Sequence, residues 1–323
     1  MKSILFLSHR WNDRRLCKHS SDMMMGLAFS RKGYDVNYLD YRDLRKEVGT
    51  NNLQKEIYNK IMDVRPDILF INKGEKVDPR TIIKTKQDGF KGVITGWYND
   101  QRRSIVKCVM DAQSVSDIFF HCKAGPRLKE YEKKSGTPSY FLFAPYEPEF
   151  IKSVPFKDRT DNVSWFGQIY NPNNGWDNLR KDIIPKIRNK LTSYHACFNK
   201  GFIRGDEYYS ALGNSKLSIN IPAIDMSLYF SNRLSHVMGS GCVPMTYRFK
   251  DYEKIFTEGK NCISFKSPEE FTNVLNKYES ELENISINSL KFANKYMKSD
   301  SVVEEILYVI ENGQSNYDFM GVK

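Results

Sequence analysis

Short runs rich in β-branched and aromatic residues alternate with amphipathic stretches along this chain, and the alternation resumes after a proline-rich break. In the first half the apolar runs are residues 3–7, 35–39, 68–71, 93–97, 118–121 and 140–143, separated by helix-like segments near 20–33, 51–64, 79–88, 102–114 and 125–135. Strands joined by helical crossovers close into right-handed βαβ units, and a series of such units makes a parallel sheet covered on both faces. Residues 1–148 therefore predict one doubly wound α/β domain. From Ala144 to Pro155 the prolines disfavour helix and sheet alike. A second alternation follows, with strands at 163–166, 194–198, 217–220, 242–246 and 262–265 and helices near 175–190, 205–214, 231–240 and 267–283. It predicts a second α/β domain over 149–300. The tail from about 285 to 311 reads as helical throughout, and residues 301–323 are expected to form a C-terminal helix and tail that packs back on the first domain.

A length of 323 residues suits two such lobes. No window approaches the roughly 18 consecutive apolar residues of a membrane span, so a soluble chain is expected. The cysteines, Cys17, Cys108, Cys122, Cys197, Cys242 and Cys262, show no C-x-x-C spacing, which fits reduced thiols in a cytoplasmic protein better than a zinc site or a disulfide framework. Neither G-x-G-x-x-G nor G-x-x-x-x-G-K-[ST] occurs, which disfavours a nicotinamide dehydrogenase and a P-loop NTPase. The charge is uneven. Residues 1–150 hold 27 Lys and Arg against 19 Asp and Glu, a net +8, whereas residues 151–323 hold 22 against 20, a net +2. Such an excess either solvates a surface or suits a polyanionic partner.

Open parallel sheets bind ligands at the carboxyl ends of their strands, which directs attention to particular loops. Residues 229–271 are the most informative stretch. Ser231 is a reasonable N-cap, and Gly239 and Gly241 end the predicted helix. Asn232 stands at its start, and Arg233, His236 and Ser240 share one face at i, i+3 and i+7. A helix start favours an anion, and Arg233 there supplies a bidentate donor for a diphosphate, or is an ordinary surface arginine.

This stretch resembles the C-terminal half of the GT-B glycosyltransferases, in particular the CgeB-like, spore-maturation group. Asp67-Ile68-Leu69-Phe70-Ile71-Asn72-Lys73-Gly74 with Trp97-Tyr98-Asn99-Asp100 is similar to that group's first-lobe pattern, and Trp165-Phe166-Gly167 to the glycine loop opening its second lobe. The similarity spans most of residues 65–272. It implies two Rossmann-like domains facing across a central cleft, and transfer of a hexosyl or pentosyl group from a nucleotide-diphosphate sugar, expected to be UDP-linked, to a hydroxyl. It also implies a donor site of Gly167, Tyr170, Asn171, Asn232, Arg233, His236, Ser240 and Gly241. His236 stands where the family has a glutamate that contacts the donor ribose. An imidazole can still bond a hydroxyl but lacks the carboxylate's paired acceptors, so His236 is read either as a ribose contact or as a packing residue. Gly241 either admits the diphosphate or merely terminates its helix.

A base to take the acceptor proton is sought among carboxylates and histidines at the strand ends of the first lobe. Asp100 is favoured, on the argument that Trp97 and Tyr98 surround it with aromatic rings, and a helix N-cap is its alternative role. His9, Asp13 and His121 are reserves. The lack of a D-x-D motif leads to the expectation of no metal and no cofactor beyond the donor. The loop after the first strand interleaves Arg10, Trp11, Arg14, Arg15 and Lys18, and Lys73, Arg102 and Arg103 add cations nearby. Basic residues beside a stackable ring suit a nucleic-acid backbone, or simply solvate the loop. Enzymes of this two-lobed architecture glycosylate hydroxymethylated bases in phage DNA, so duplex DNA is the favoured acceptor. A surface polysaccharide or spore-coat glycan is the alternative acceptor, and a non-catalytic nucleotide-sugar-binding protein the alternative class.

Overall fold

The computed structural model describes residues 1–8, 19–100, 102, 104–167, 169, 179–191, 195–198 and 203–319. The chain divides into two compact units, Met1–Leu142 with Val302–Tyr317, and Phe143–Ser301 with Asp318 and Phe319. Each unit is built on its own parallel sheet.

The first unit runs β1 (Ser3–Ser8), α1 (Ser21–Arg31), β2 (Asp35–Asp40), α2 (Tyr41–Val64), β3 (Ile68–Asn72), α3 (Pro79–Gln87), β4 (Val93–Tyr98), α4 (Lys107–Ser114), β5 (Phe119–His121), α5 (Pro126–Ser135) and β6 (Ser139–Phe141). Its strands lie in the order β2-β1-β3-β4-β5-β6, all parallel. The central strand β3 is buried along its whole length, as expected of a strand covered on both faces. Polar residues set the helix starts: Ser20 caps α1 by accepting from the Met23 amide, and Asp78 caps α3 ahead of Pro79. Leu5, Leu7, Leu69, Ile71 and Ile94 pack against Ile57 and Ile61 of α2 and Ile82 of α3 to form the core.

The second unit runs β7 (Asp161–Trp165), α6 (Leu179–Lys190), β8 (Ala196–Phe198), α7 (Gly205–Gly213), β9 (Ser215–Asn220), α8 (Arg233–Gly239), β10 (Val243–Tyr247), β11 (Ile263–Phe265), α9 (Pro268–Tyr278), α10 (Leu282–Tyr296) and the start of α11 (Ser299–Asn312). Strand order is β11-β10-β9-β7-β8, again parallel throughout. Leu217 and Ile219 of β9 join Val163, Trp165, Met245 and Ile263 in a core completed by Ile183, Ile184 and Ile187 of α6 and Phe271 and Leu275 of α9. With a side-chain period of two, Ser218 and Asn220 face the opposite side of the sheet, where α7 and α8 pack.

The predicted α/β class and its parallel strand series stand, while several helix boundaries move. The segment before residue 51 is helical from Tyr41, broken only at Gly49 (φ 77°). α4 starts at Lys107 rather than 102, because the Val106 amide is bonded to Tyr131 Oη at 3.1 Å. The expected continuous tail helix is two helices. Between them the Met297 carbonyl accepts from the Tyr146 amide and the Ser299 amide donates to the Tyr146 carbonyl, at 2.9 Å each, so the backbone is taken from the helix ladder. No helix among the described residues is long and apolar enough to cross a membrane.

Candidate functional site

In a parallel sheet ordered like the second one, the chain leaves adjacent strands β7 and β9 in opposite directions, and their carboxyl ends frame a crevice at this switch point. Gly167 lies two residues beyond β7 and Asn220 ends β9. Arg233 opens α8 and reaches back to the glycine: a Cβ built on Gly167 would lie 3.4 Å from Arg233 Nη2 and only 2.8 Å from the Trp165 ring. The glycine thus lets the backbone lie against Trp165 where a Cβ would collide. The Arg233 guanidinium is half-buried and makes no hydrogen bond or ion pair with a described residue. Tyr208 of α7 completes this wall, its ring edge-on to Phe166 and to His236, both at 5.8 Å. Burial raises the Tyr208 phenol pKa, partly opposed by the nearby Arg233 charge. Sequence reasoning missed Tyr208 and Asn220, which lie in no motif.

The rest of α8 departs from the sequence reading. Ser231 does not cap it; the N-cap is Asn232, with no side-chain cap bond, and the helix has seven residues instead of the nine expected after Ser231. The macrodipole of so short a helix is weak, so attraction for an anion there comes from the Arg233 charge. Ser240 lies at the other end, the C-cap, roughly 10 Å from Arg233 at 1.5 Å per residue, and is buried. Gly241 (φ 66°) closes a Schellman motif: its amide bonds the Met238 carbonyl and the Cys242 amide bonds the Val237 carbonyl. Its carbonyl is taken by Arg159 Nη1 at 2.7 Å and Ser286 Oγ at 2.6 Å, which puts Gly241 in the helix-ending role. The buried Arg159 also donates to the carbonyls of Val154, Ser215 and Ser240. His236 packs between Tyr208 and Tyr209, the latter at 5.4 Å, half-buried. Tyr170 and Asn171 lie outside the described residues.

On the first unit's carboxyl edge, Lys73 follows β3 in a left-handed conformation (φ 60°), its amide bonded to the Trp97 carbonyl. Its ammonium reaches Asp100 Oδ2 at 2.5 Å. This overturns two expectations. Lys73 is an ion-pair partner rather than an open cation, and Asp100, 46% exposed, is held by an ammonium rather than enclosed by Trp97 and Tyr98, both of which are buried. Nor does Asp100 cap a helix, since α4 starts seven residues later. His121 is fully buried with Nε2 against Gln113 Oε1 at 3.0 Å, and burial together with the Lys123 charge holds its pKa well below 6.5, which removes it from the reserve bases. Lys123 is buried with Nζ over the rings of Tyr131 and Tyr98, at 4.3 and 4.9 Å, and burial lowers its pKa to about 7. Arg102 is exposed. His9, Arg10, Trp11, Asp13, Arg14, Arg15, Lys18 and Arg103 lie outside the described residues.

Residues 150–306 match the family described as Glycosyl transferase-like. Among curated proteins none matches the sequence. Solved structures match over nearly the whole chain. A glycosyltransferase from Rickettsia africae is 8% identical with a TM-score of 0.66, covering 98% of this chain and 99% of its own. HepE from Anabaena, solved in complex with UDP-glucose, is 11% identical with a TM-score of 0.62, covering 96% and 100%. Sucrose-phosphate synthase from Thermosynechococcus elongatus is 8% identical with a TM-score of 0.63, covering 96% and 98%. The chain therefore has the GT-B fold of these glycosyltransferases, and its second half carries the sequence pattern of a glycosyltransferase-like family.

Proposed function

We propose that this protein is a glycosyltransferase that moves a sugar from a nucleotide-diphosphate donor to an acceptor hydroxyl. A fold hosts many chemistries, so the reading rests on the site. The observation that carries it is the Arg233 guanidinium, without a partner among the described residues, standing against Gly167 at the switch point, inside the segment that matches the glycosyltransferase-like family. A bidentate cation beside a loop backbone that carries no Cβ suits a diphosphate. The UDP-glucose bound by HepE supports a UDP-linked donor. The likeness to the CgeB-like group is part of the same proposal.

In the transfer the acceptor oxygen attacks the anomeric carbon, the bond from that carbon to the β-phosphate oxygen breaks, and the nucleoside diphosphate leaves with the bonding pair. Arg233 stabilises the charge that develops on the departing diphosphate. The acceptor proton goes to a base, for which Asp100 is the candidate: Lys73 fixes Oδ2, and half-exposure leaves Oδ1 open to an acceptor. With Lys73 neutralised by Asp100, a DNA acceptor is supported by the +8 excess of residues 1–150 alone.

The test is donor turnover across UDP-, GDP-, ADP- and TDP-sugars, with and without hydroxymethylcytosine-containing duplex DNA. One preferred donor, turned over and lost on Arg233→Ala, is the expected result. A mass shift on the modified base identifies DNA as the acceptor, whereas turnover unaffected by DNA directs the search to glycans. Failure to bind any donor refutes the proposal.

A further inference from the structure

Two side chains beside the second unit's switch point carry buried polar atoms that bond no described residue. Tyr208 Oη and both amide atoms of Asn220, Nδ2 and Oδ1, are buried and have no hydrogen-bond partner among the described residues. Tyr208 is 9% exposed and Asn220 2%. Folded proteins satisfy the great majority of buried polar atoms, and those left over call for an explanation such as a bound water, ion or ligand. These atoms are not scattered. Asn220 ends β9 on the face against which α7 and α8 pack, α7 carries Tyr208, and the Tyr208 ring touches both Phe166, next to Gly167, and His236, one turn after Arg233. Asn220 and Gly167 thus border the crevice from its two adjoining strands.

On the reading that this pocket takes a nucleotide-linked sugar, we propose that Tyr208 and Asn220 are ligand contacts, the phenol donating to a diphosphate oxygen beside Arg233 and the amide exchanging hydrogen bonds with a hydroxyl of the same ligand. The atom types match this assignment. A diphosphate oxygen only accepts, so its partner must donate, and burial keeps the Tyr208 hydroxyl protonated throughout the neutral range. A sugar hydroxyl both donates and accepts, and Asn220 presents one group of each kind. Arg233 supplies charge and Tyr208 direction, so the two act on one anion from different sides of the pocket.

The test compares the full-length protein with Tyr208→Phe and Asn220→Ala, using UDP, GDP, ADP and TDP and their glucose conjugates in titration calorimetry and thermal unfolding. Tyr208→Phe deletes an oxygen that bonds no described residue, so the ligand-free melting temperature is expected to hold or rise while affinity for the preferred nucleotide falls about tenfold or more, the range for a hydrogen bond to a charged group. Asn220→Ala is expected to weaken binding as well. Unchanged affinity in both variants overturns the assignment, whatever happens to their melting temperatures. If the wild type binds none of the ligands, the glycosyltransferase reading fails and takes this inference with it; wild-type binding with indifferent variants removes the inference alone.

Discussion

Lys123 offers a quantitative prediction that does not depend on the reaction. It is 1% exposed, and burial lowers its pKa from 10.5 to about 7. The groups around it are Cys122 and His121 beside it, Tyr98 and Asp100 from the β4 end, and Arg127, Glu130 and Tyr131 of α5. The unfolded lysine keeps its proton up to about pH 10.5, whereas the folded one releases it above about pH 7. Between these values unfolding takes up a proton, so the stability of the first unit rises with pH across the window and is lowest below pH 7. At about 1.36 kcal/mol per pH unit once above the folded pKa, wild type gains roughly 2–3 kcal/mol between pH 6 and pH 9. Lys123→Met keeps an unbranched chain against the two rings and has nothing to titrate. The expected result is a variant more stable than wild type at pH 6, with an advantage that shrinks by that amount by pH 9. Hydrogen exchange in urea, following amides of β3 to β5, isolates opening of the first unit from that of the second. A difference that stays constant from pH 6 to pH 9 would refute the reasoning: the two aromatic faces would then be holding the buried cation against desolvation.

Three further outcomes are expected. Gly167→Ala forces a methyl to within 2.8 Å of the core Trp165 ring, against about 3.5 Å for ordinary carbon contact, so the loop must shift; nucleotide binding should weaken at least tenfold, and unaltered affinity in calorimetry would show that the loop gives way freely. Asp100→Asn should lower kcat about 100-fold with nucleotide affinity preserved, while normal turnover would leave the Lys73 pair a purely structural feature. Arg159→Leu strips donors from four backbone carbonyls and should destabilise the second unit by about 3 kcal/mol or more, measured by urea denaturation.

The strand series was legible because parallel strands buried on both faces appear as continuous apolar runs, as Ile68 to Asn72 does. Gly167 and Arg233, 66 positions apart in sequence, were pointed to by the family pattern, and their side-by-side placement follows from β7 and α8 meeting at one sheet end. Helix ends decided by tertiary bonds were not legible. Nothing local to Val106 announces its bond to Tyr131, and nothing near Met297 announces that Tyr146 will claim its carbonyl. Strand order was equally hidden, and with it the position of the switch point. Tyr208 and Asn220 escaped for the same reason, since an unanswered hydrogen bond is a property of the packed interior. The Asp100 surround failed differently: adjacency of Trp97 and Tyr98 in sequence is no guide to environment where successive strand residues point to opposite faces and Lys73 arrives from another strand.

The composition of the first unit has a consequence for the order in which the chain becomes whole. Residues Val302–Tyr317 belong to the same unit as Met1–Leu142, tied in by Lys32 to Glu304 at 2.8 Å, by Tyr140 Oη to the Gly313 carbonyl at 2.6 Å and by a tilted ring contact of Phe141 with Tyr317. Roughly 160 residues separate the two pieces. At a synthesis rate of about 5–20 residues per second, a ribosome needs roughly 8–30 s to make that stretch. The first sheet therefore emerges early, but its unit stays unfinished until residues 302–317 have been made, holding an apolar surface in reserve while an entire second unit is made. A nascent chain stalled before residue 302 is the species most in need of a chaperone.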